Sequence, residues 1–129
     1  MKILLWVLQA LLAAAFLAHG VMLLFPPQAI AGLLLASFPR WFWVFLGVAE
    51  VAGAIGLIVP GITRIQPRLV PVAAAGLVVI MIGATTFHLQ RGEISSAVTT
   101  VVLLAMASVV AYMRWRVLPI PPRAVAHAV

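Results

Sequence analysis

The chain has 129 residues, of which 66% are hydrophobic and 8% charged, with eight Lys/Arg against two Asp/Glu and a net charge of +6. A soluble domain carries about 25% charged residues, so this chain lacks the charge to cover a water-facing surface, and a soluble enzyme, a disordered chain and a nucleic-acid binder are excluded. The basic residues are single charges flanking apolar runs rather than a patch, and the lack of cysteine removes disulfides, thiolate metal sites and dithiol redox chemistry.

The composition predicts an all-α integral membrane protein, a four-transmembrane-helix bundle whose main partner is the lipid bilayer. About 20 helical residues cross a ~30 Å hydrocarbon core. The first such run covers about 3–25. Lys2 and Ala18-His19-Gly20 resemble parts of a signal peptide, but the run continues through Val21-Met22-Leu23-Leu24-Phe25, longer than an h-region. It therefore reads as a span. Residues 26–40 start with Pro26-Pro27 and end with Pro39-Arg40. The stretch between is too short to span and too apolar to float in water, so a short interfacial or re-entrant helix is expected there.

The second span covers about 41–59 and is expected to end at Pro60-Gly61. The third covers about 69–89 and the fourth about 94–115, joined by a tight turn at Arg91-Gly92 into an antiparallel hairpin. Prolines 119, 121 and 122 make the segment from Val117 extended. The chain thus divides into a four-helix transmembrane domain, 1–116, and a Pro-rich tail, 117–129. Continuous apolar runs exclude a β-barrel, whose strands alternate. The basic residues set the orientation. With both termini cytoplasmic, Lys2, Arg64, Arg68, Arg114, Arg116 and Arg123 lie inside, against Arg40 and Arg91 outside. Trp6 and Trp115 then mark the inner interface, and Trp41 and Trp43 the outer.

Glu50 is the most informative residue. It lies about 13 Å from the outer end of its helix at 1.5 Å per residue, where an ionisable group is costly and needs a partner. Gly47, Gly53 and Gly56 on the same helix let neighbouring helices come close. Such an acid is either a structural carboxyl bonded across helices or a ligand anchor or proton acceptor. His19, Thr85 and His88 are expected in the same outer half, with Arg91 at its mouth and Ser96 and Thr99 on the fourth span. The inner half has Gln9 and Ser108 and little else. A bundle with one polar and one dry half predicts a ligand cavity open outward, with Glu50, His88, His19, Thr85 and Arg91 as candidate ligand-binding residues. No HxxxH or ExxH spacing occurs, so no metal site is expected.

Two stretches carry a family resemblance. One runs from Leu46-Gly47-Val48-Ala49-Glu50 through Gly53 and Gly56 to Pro60. The other runs from Pro71 through Ala75-Gly76 and Met81-Ile82-Gly83-Ala84 to His88-Leu89-Gln90-Arg91-Gly92-Glu93. With four spans throughout, the chain resembles the DoxX-like family of small four-helix bacterial membrane proteins. Many relatives carry a basic residue close before the glycine that precedes the acid. Here Trp43 and Val44 stand there and Arg40 is the nearest, which argues against an ion pair of Glu50 within its own helix. The resemblance implies a link to quinone-related membrane oxidoreductases and redox stress in a bacterial inner membrane. Distant eukaryotic relatives act in receptor assembly.

Three functions follow. The first is a bundle that binds an amphipathic, quinone-like molecule between Glu50 and His88, linked to a membrane oxidoreductase system. The second is a non-catalytic accessory or chaperone subunit of a membrane complex, or a homo-oligomer, in which Glu50 locks the bundle. The third is a proton-coupled carrier, which four spans without an inverted repeat would support only as a dimer.

Overall fold

The computed structural model describes residues 1–124 and is all helical over its ordered elements. These are α1 (Lys2–Leu24), α2 (Gln28–Ser37), α3 (Arg40–Thr63), α4 (Leu69–Gln90) and α5 (Ile94–Tyr112), the last continuing as a π-helical turn, Met113–Val117. Four helices are long and apolar enough to cross a membrane: α1, α3, α4, and α5 together with its π turn. The expected short helix after the first span is α2.

Each long helix buries one narrow stripe. On α1 it contains Leu5, Gln9, Leu12, Phe16, Gly20 and Leu23, and on α3 Trp43, Gly47, Glu50, Ala54, Leu57 and Gly61. The spacing of three and four residues is that of one helix face. The remaining faces expose Leu, Ile and Val, as lipid-facing surfaces do. Helix α1 packs mainly on α3 and α4 on α5. The two pairs join through α3 and α4, and a lighter seam between α1 and α5 closes the ring. The core around Leu12, Leu57, Leu77 and Ala107 fills the centre.

Small residues bring the backbones together, which matters in lipid because packing replaces the hydrophobic drive. A Cβ on Gly47 would lie 2.9 Å from the carbonyl oxygen of Gly20, so α1 and α3 touch there backbone to backbone. A Cβ on Gly53 would lie 2.7 Å from Leu77, and one on Gly56 2.7 Å from the Cβ of Ala73, both on α4.

Prolines set two of the helix starts and fail to set one helix end. Helix α2 begins directly after Pro27, whose carbonyl accepts from the N–H groups of Ile30 and Ala31 at 3.0 Å each. Helix α3 follows Pro39. The expected break at Pro60 does not occur, for α3 runs on to Thr63 and ends only where Arg64 turns left-handed at φ 59. Pro60 lacks an N–H and removes one helical hydrogen bond. It sits in the last turns, where Gly61 packs against Trp6 and Ile120 and holds the chain in line. The segment from Leu118 to Ala124 is non-helical. The remainder of the tail, residues 125–129, lies outside the described residues.

Candidate ligand-binding site

Between the helices, in the half of the bundle where α4 ends and α5 begins, lies a cavity of about 620 Å³. Phe16, Leu46, Met81 and Leu103 are among its apolar walls, and Leu33, Leu34 and Ser37 of α2 line it too. Polar groups enter it at two levels.

The deeper level is Glu50. Its side chain is 1% exposed, and its Oε2 lies 2.6 Å from His19 Nδ1 of α1. The backbone contact of Gly20 with Gly47 makes this bond reachable. Gly20 follows His19 directly, and Gly47 lies about one turn before Glu50. His19 is half exposed, and both residues line the cavity. A partner across the helices is what an acid at this depth requires. It comes from α1, not from within α3.

The second level is the turn after α4. Gly92 is left-handed, at φ 71. That reversal, which glycine adopts without strain, returns Glu93 to His88, whose carbonyl accepts from the Glu93 N–H at 2.9 Å. Glu93 Oε2 lies 2.6 Å from His88 Nδ1, and Oε1 accepts from Arg91 Nε at 2.8 Å. The Arg91 guanidinium first, and the His88 hydrogen bond second, hold the Glu93 carboxyl below the usual range. Arg91 also stacks over Phe87 at 5.3 Å and reaches Ser37 Oγ of α2 at 3.4 Å.

Helix α2 buries none of its residues and is held by hydrogen bonds rather than by packing. Trp43 Nε1 donates to the carbonyls of Leu34 at 2.9 Å and Phe38 at 3.1 Å. Arg40 donates to the carbonyl of Leu23 at 2.8 Å and to that of Leu24, capping the C-terminal end of α1 where the helix dipole is negative.

Several expectations change. Glu50 meets His19 and not His88, which belongs to the mouth with Glu93 and Arg91. Thr85 is not among the cavity-lining residues. Its Oγ1 donates to Thr100 Oγ1 at 2.8 Å and ties α4 to α5. Trp43 is no belt residue but a buried clamp on α2, while Trp41 is exposed. The opposite half is not dry. Arg114, 5% exposed, points inward and donates through Nε to Gln9 Oε1 at 2.6 Å. Nothing in local hydropathy marks Arg114, because an arginine near a helix end ordinarily snorkels to water. It is the buried residue of the π turn.

Residues 7–110 match the sequence model of the DoxX-like family. The matched stretch contains His19, Glu50, His88, Arg91 and Glu93, and excludes Arg114. No curated protein and no solved structure matches the chain. With a family match over that length and four helices long and apolar enough to cross a bilayer, the chain is a multi-pass membrane protein belonging to the DoxX-like family.

Proposed function

We propose that the protein binds an amphipathic, quinone-like small molecule in this cavity, in the setting of a membrane oxidoreductase system of a bacterial inner membrane. The supporting observation is the combination of a fully buried, imidazole-paired Glu50 with an otherwise mostly apolar cavity large enough for a small molecule. Glu50 Oε1 and His19 Nε2 have no hydrogen-bond partner among the described residues. A head-group carbonyl or hydroxyl supplies one. Phe16, Leu46, Met81 and Leu103 offer an apolar wall to the tail. The proton shared between imidazole and carboxylate keeps the acid from standing as a bare charge in lipid, and His19 Nε2 is left to hydrogen-bond a head-group oxygen. His88, Arg91 and Glu93 form a polar entry.

The test uses decyl-ubiquinone as probe and quenching of Trp43 fluorescence as readout, since Trp43 lines the cavity. Saturable quenching is expected, weakened about tenfold in Glu50→Gln and in His19→Ala, because the first removes the carboxylate and the second the imidazole of the hydrogen-bonded pair. Equal affinity in wild type and both variants, or quenching unchanged in Trp43→Phe, defeats the reading.

One observation favours a second reading, a non-catalytic subunit of a membrane complex or a homo-oligomer. Gly76 of α4 is exposed, and a Cβ placed on it meets nothing within 4 Å. It lies outside the ligand cavity and is open to the close approach of a helix from another chain. Disulfide trapping through Gly76→Cys in membranes, with no crosslinked product, counts against it.

A further inference from the structure

At the other end of the bundle, a groove of about 950 Å³ lies between the α3–α4 turn and the segment that follows the π turn. We propose that this groove binds the head group of an anionic phospholipid. The proposal is independent of the ligand cavity.

Three arginines line the groove: Arg64, Arg68 and Arg123. No side-chain carboxylate answers them among the described residues. The chain has two acids, Glu50 and Glu93, and both line the other cavity, where they are bonded to His19, His88 and Arg91. Arg64 is used to build the groove. Its Nε donates to the carbonyl of Pro121 at 3.1 Å, and its own carbonyl accepts from the Arg123 N–H at 2.9 Å. These bonds lay the proline segment against the turn. The turn itself has two non-glycine residues in the left-handed region, Arg64 at φ 59 and Gln66 at φ 50. Such backbone persists only where its surroundings hold it. The side chains of Arg68 and Arg123 have no hydrogen-bond partner among the described residues, which leaves two free guanidinium groups on a formed wall.

The groove is also apolar. Ile65, Pro67, Ile120 and Pro122 line it beside the arginines. Ile62 and Leu69, exposed on the flanking helices, continue that apolar surface toward the lipid-facing sides. A soluble phosphate needs only the charge. A phospholipid uses both features, with the phosphate on Arg68 and Arg123 and the glycerol and upper acyl chain on the prolines and isoleucines. Basic residues at a membrane surface attract anionic lipid in this way, and a guanidinium pairs with phosphate bidentately.

The test is native mass spectrometry of the full chain with equal phosphatidylglycerol and phosphatidylcholine. Wild type is expected to retain phosphatidylglycerol by roughly tenfold over phosphatidylcholine. Arg68→Gln/Arg123→Gln should bring the ratio near one with unchanged thermal unfolding, and Arg68→Gln alone should lower it about threefold. Arg116→Gln, an exposed arginine outside the groove, should leave the ratio alone. A preference that survives in the double variant overturns the proposal. So does an equal loss in Arg116→Gln, which would mean diffuse charge attraction. Displacement of the lipid by millimolar inorganic phosphate would mean a free-anion site and overturns it too.

Discussion

Arg114 of the π turn donates its Nε–H to Gln9 Oε1 of α1 across 2.6 Å, placing a cation inside the bundle about 15 Å along α1 from His19. Gln9 in turn donates through Nε2 to the carbonyl of Leu57 at 2.7 Å, so three helical segments meet at one amide. Arg114 Nη1 donates to the carbonyl of Leu118 at 3.2 Å, and the guanidinium lies 5.0 Å from the Trp6 ring centroid. Nη2 is buried without a partner. The charge is thus solvated by oxygen dipoles and an aromatic face rather than by a carboxylate. Removing any one of these leaves a cation short of a partner in low dielectric.

Gln9→Leu is therefore expected to lower the unfolding free energy in detergent by about 2 kcal/mol, the worth of a hydrogen bond to a charged group. Gln9→Leu/Arg114→Leu should recover most of that loss, because donor and acceptor leave together. A double variant no more stable than Gln9→Leu contradicts the arrangement.

The glycines separate by neighbourhood. Gly47→Ala places a methyl 2.9 Å from both the Gly20 carbonyl oxygen and Leu24 Cγ, and is expected to cost about 1–3 kcal/mol as overpacking. Gly76→Ala meets nothing within 4 Å and should stabilise by up to about 1 kcal/mol through helix propensity. Thermal unfolding of the two variants in the same detergent checks the order, which reversal would refute.

Glu93 lies in the turn between α4 and α5, and its folded carboxyl titrates below the ordinary value of 4.5, chiefly because of Arg91 and then His88. A depressed acid pKa contributes stability that is present above the unfolded value and lost as pH falls through the folded one. The contribution should therefore fade only below about pH 4.5. Carboxyl-carbon NMR is expected to give a midpoint under that value, moving up toward it in Arg91→Gln. An unmoved midpoint would show that Arg91 is not the cause.

Orientation is a further proposal, resting on six basic residues at the Arg114 end against two at the His88 end. Gly92→Cys should react with an impermeant maleimide on intact cells, and Arg123→Cys only after permeabilisation. The opposite pattern inverts the topology.

Local properties of the sequence settled the helices, their number and the need of Glu50 for a partner. In lipid each span must satisfy its own backbone, so a run of apolar residues specifies a helix without reference to the rest of the chain. The family match covers the same runs, and the matched range contains Glu50 and the His88–Glu93 stretch. Only the tertiary structure decided which groups pair. Helices apolar on every side have no polar face to fix their rotation, so the sequence set Glu50 with His88, whereas the structure pairs it with His19. The choice fell to the Gly20–Gly47 contact, between residues 27 apart in sequence by subtraction of their numbers. The same holds for Arg114, which meets a residue 105 positions away, and for Trp43, which clamps α2. Depth and helix type follow from hydropathy, but rotation and pairing follow from which small residues let two backbones touch.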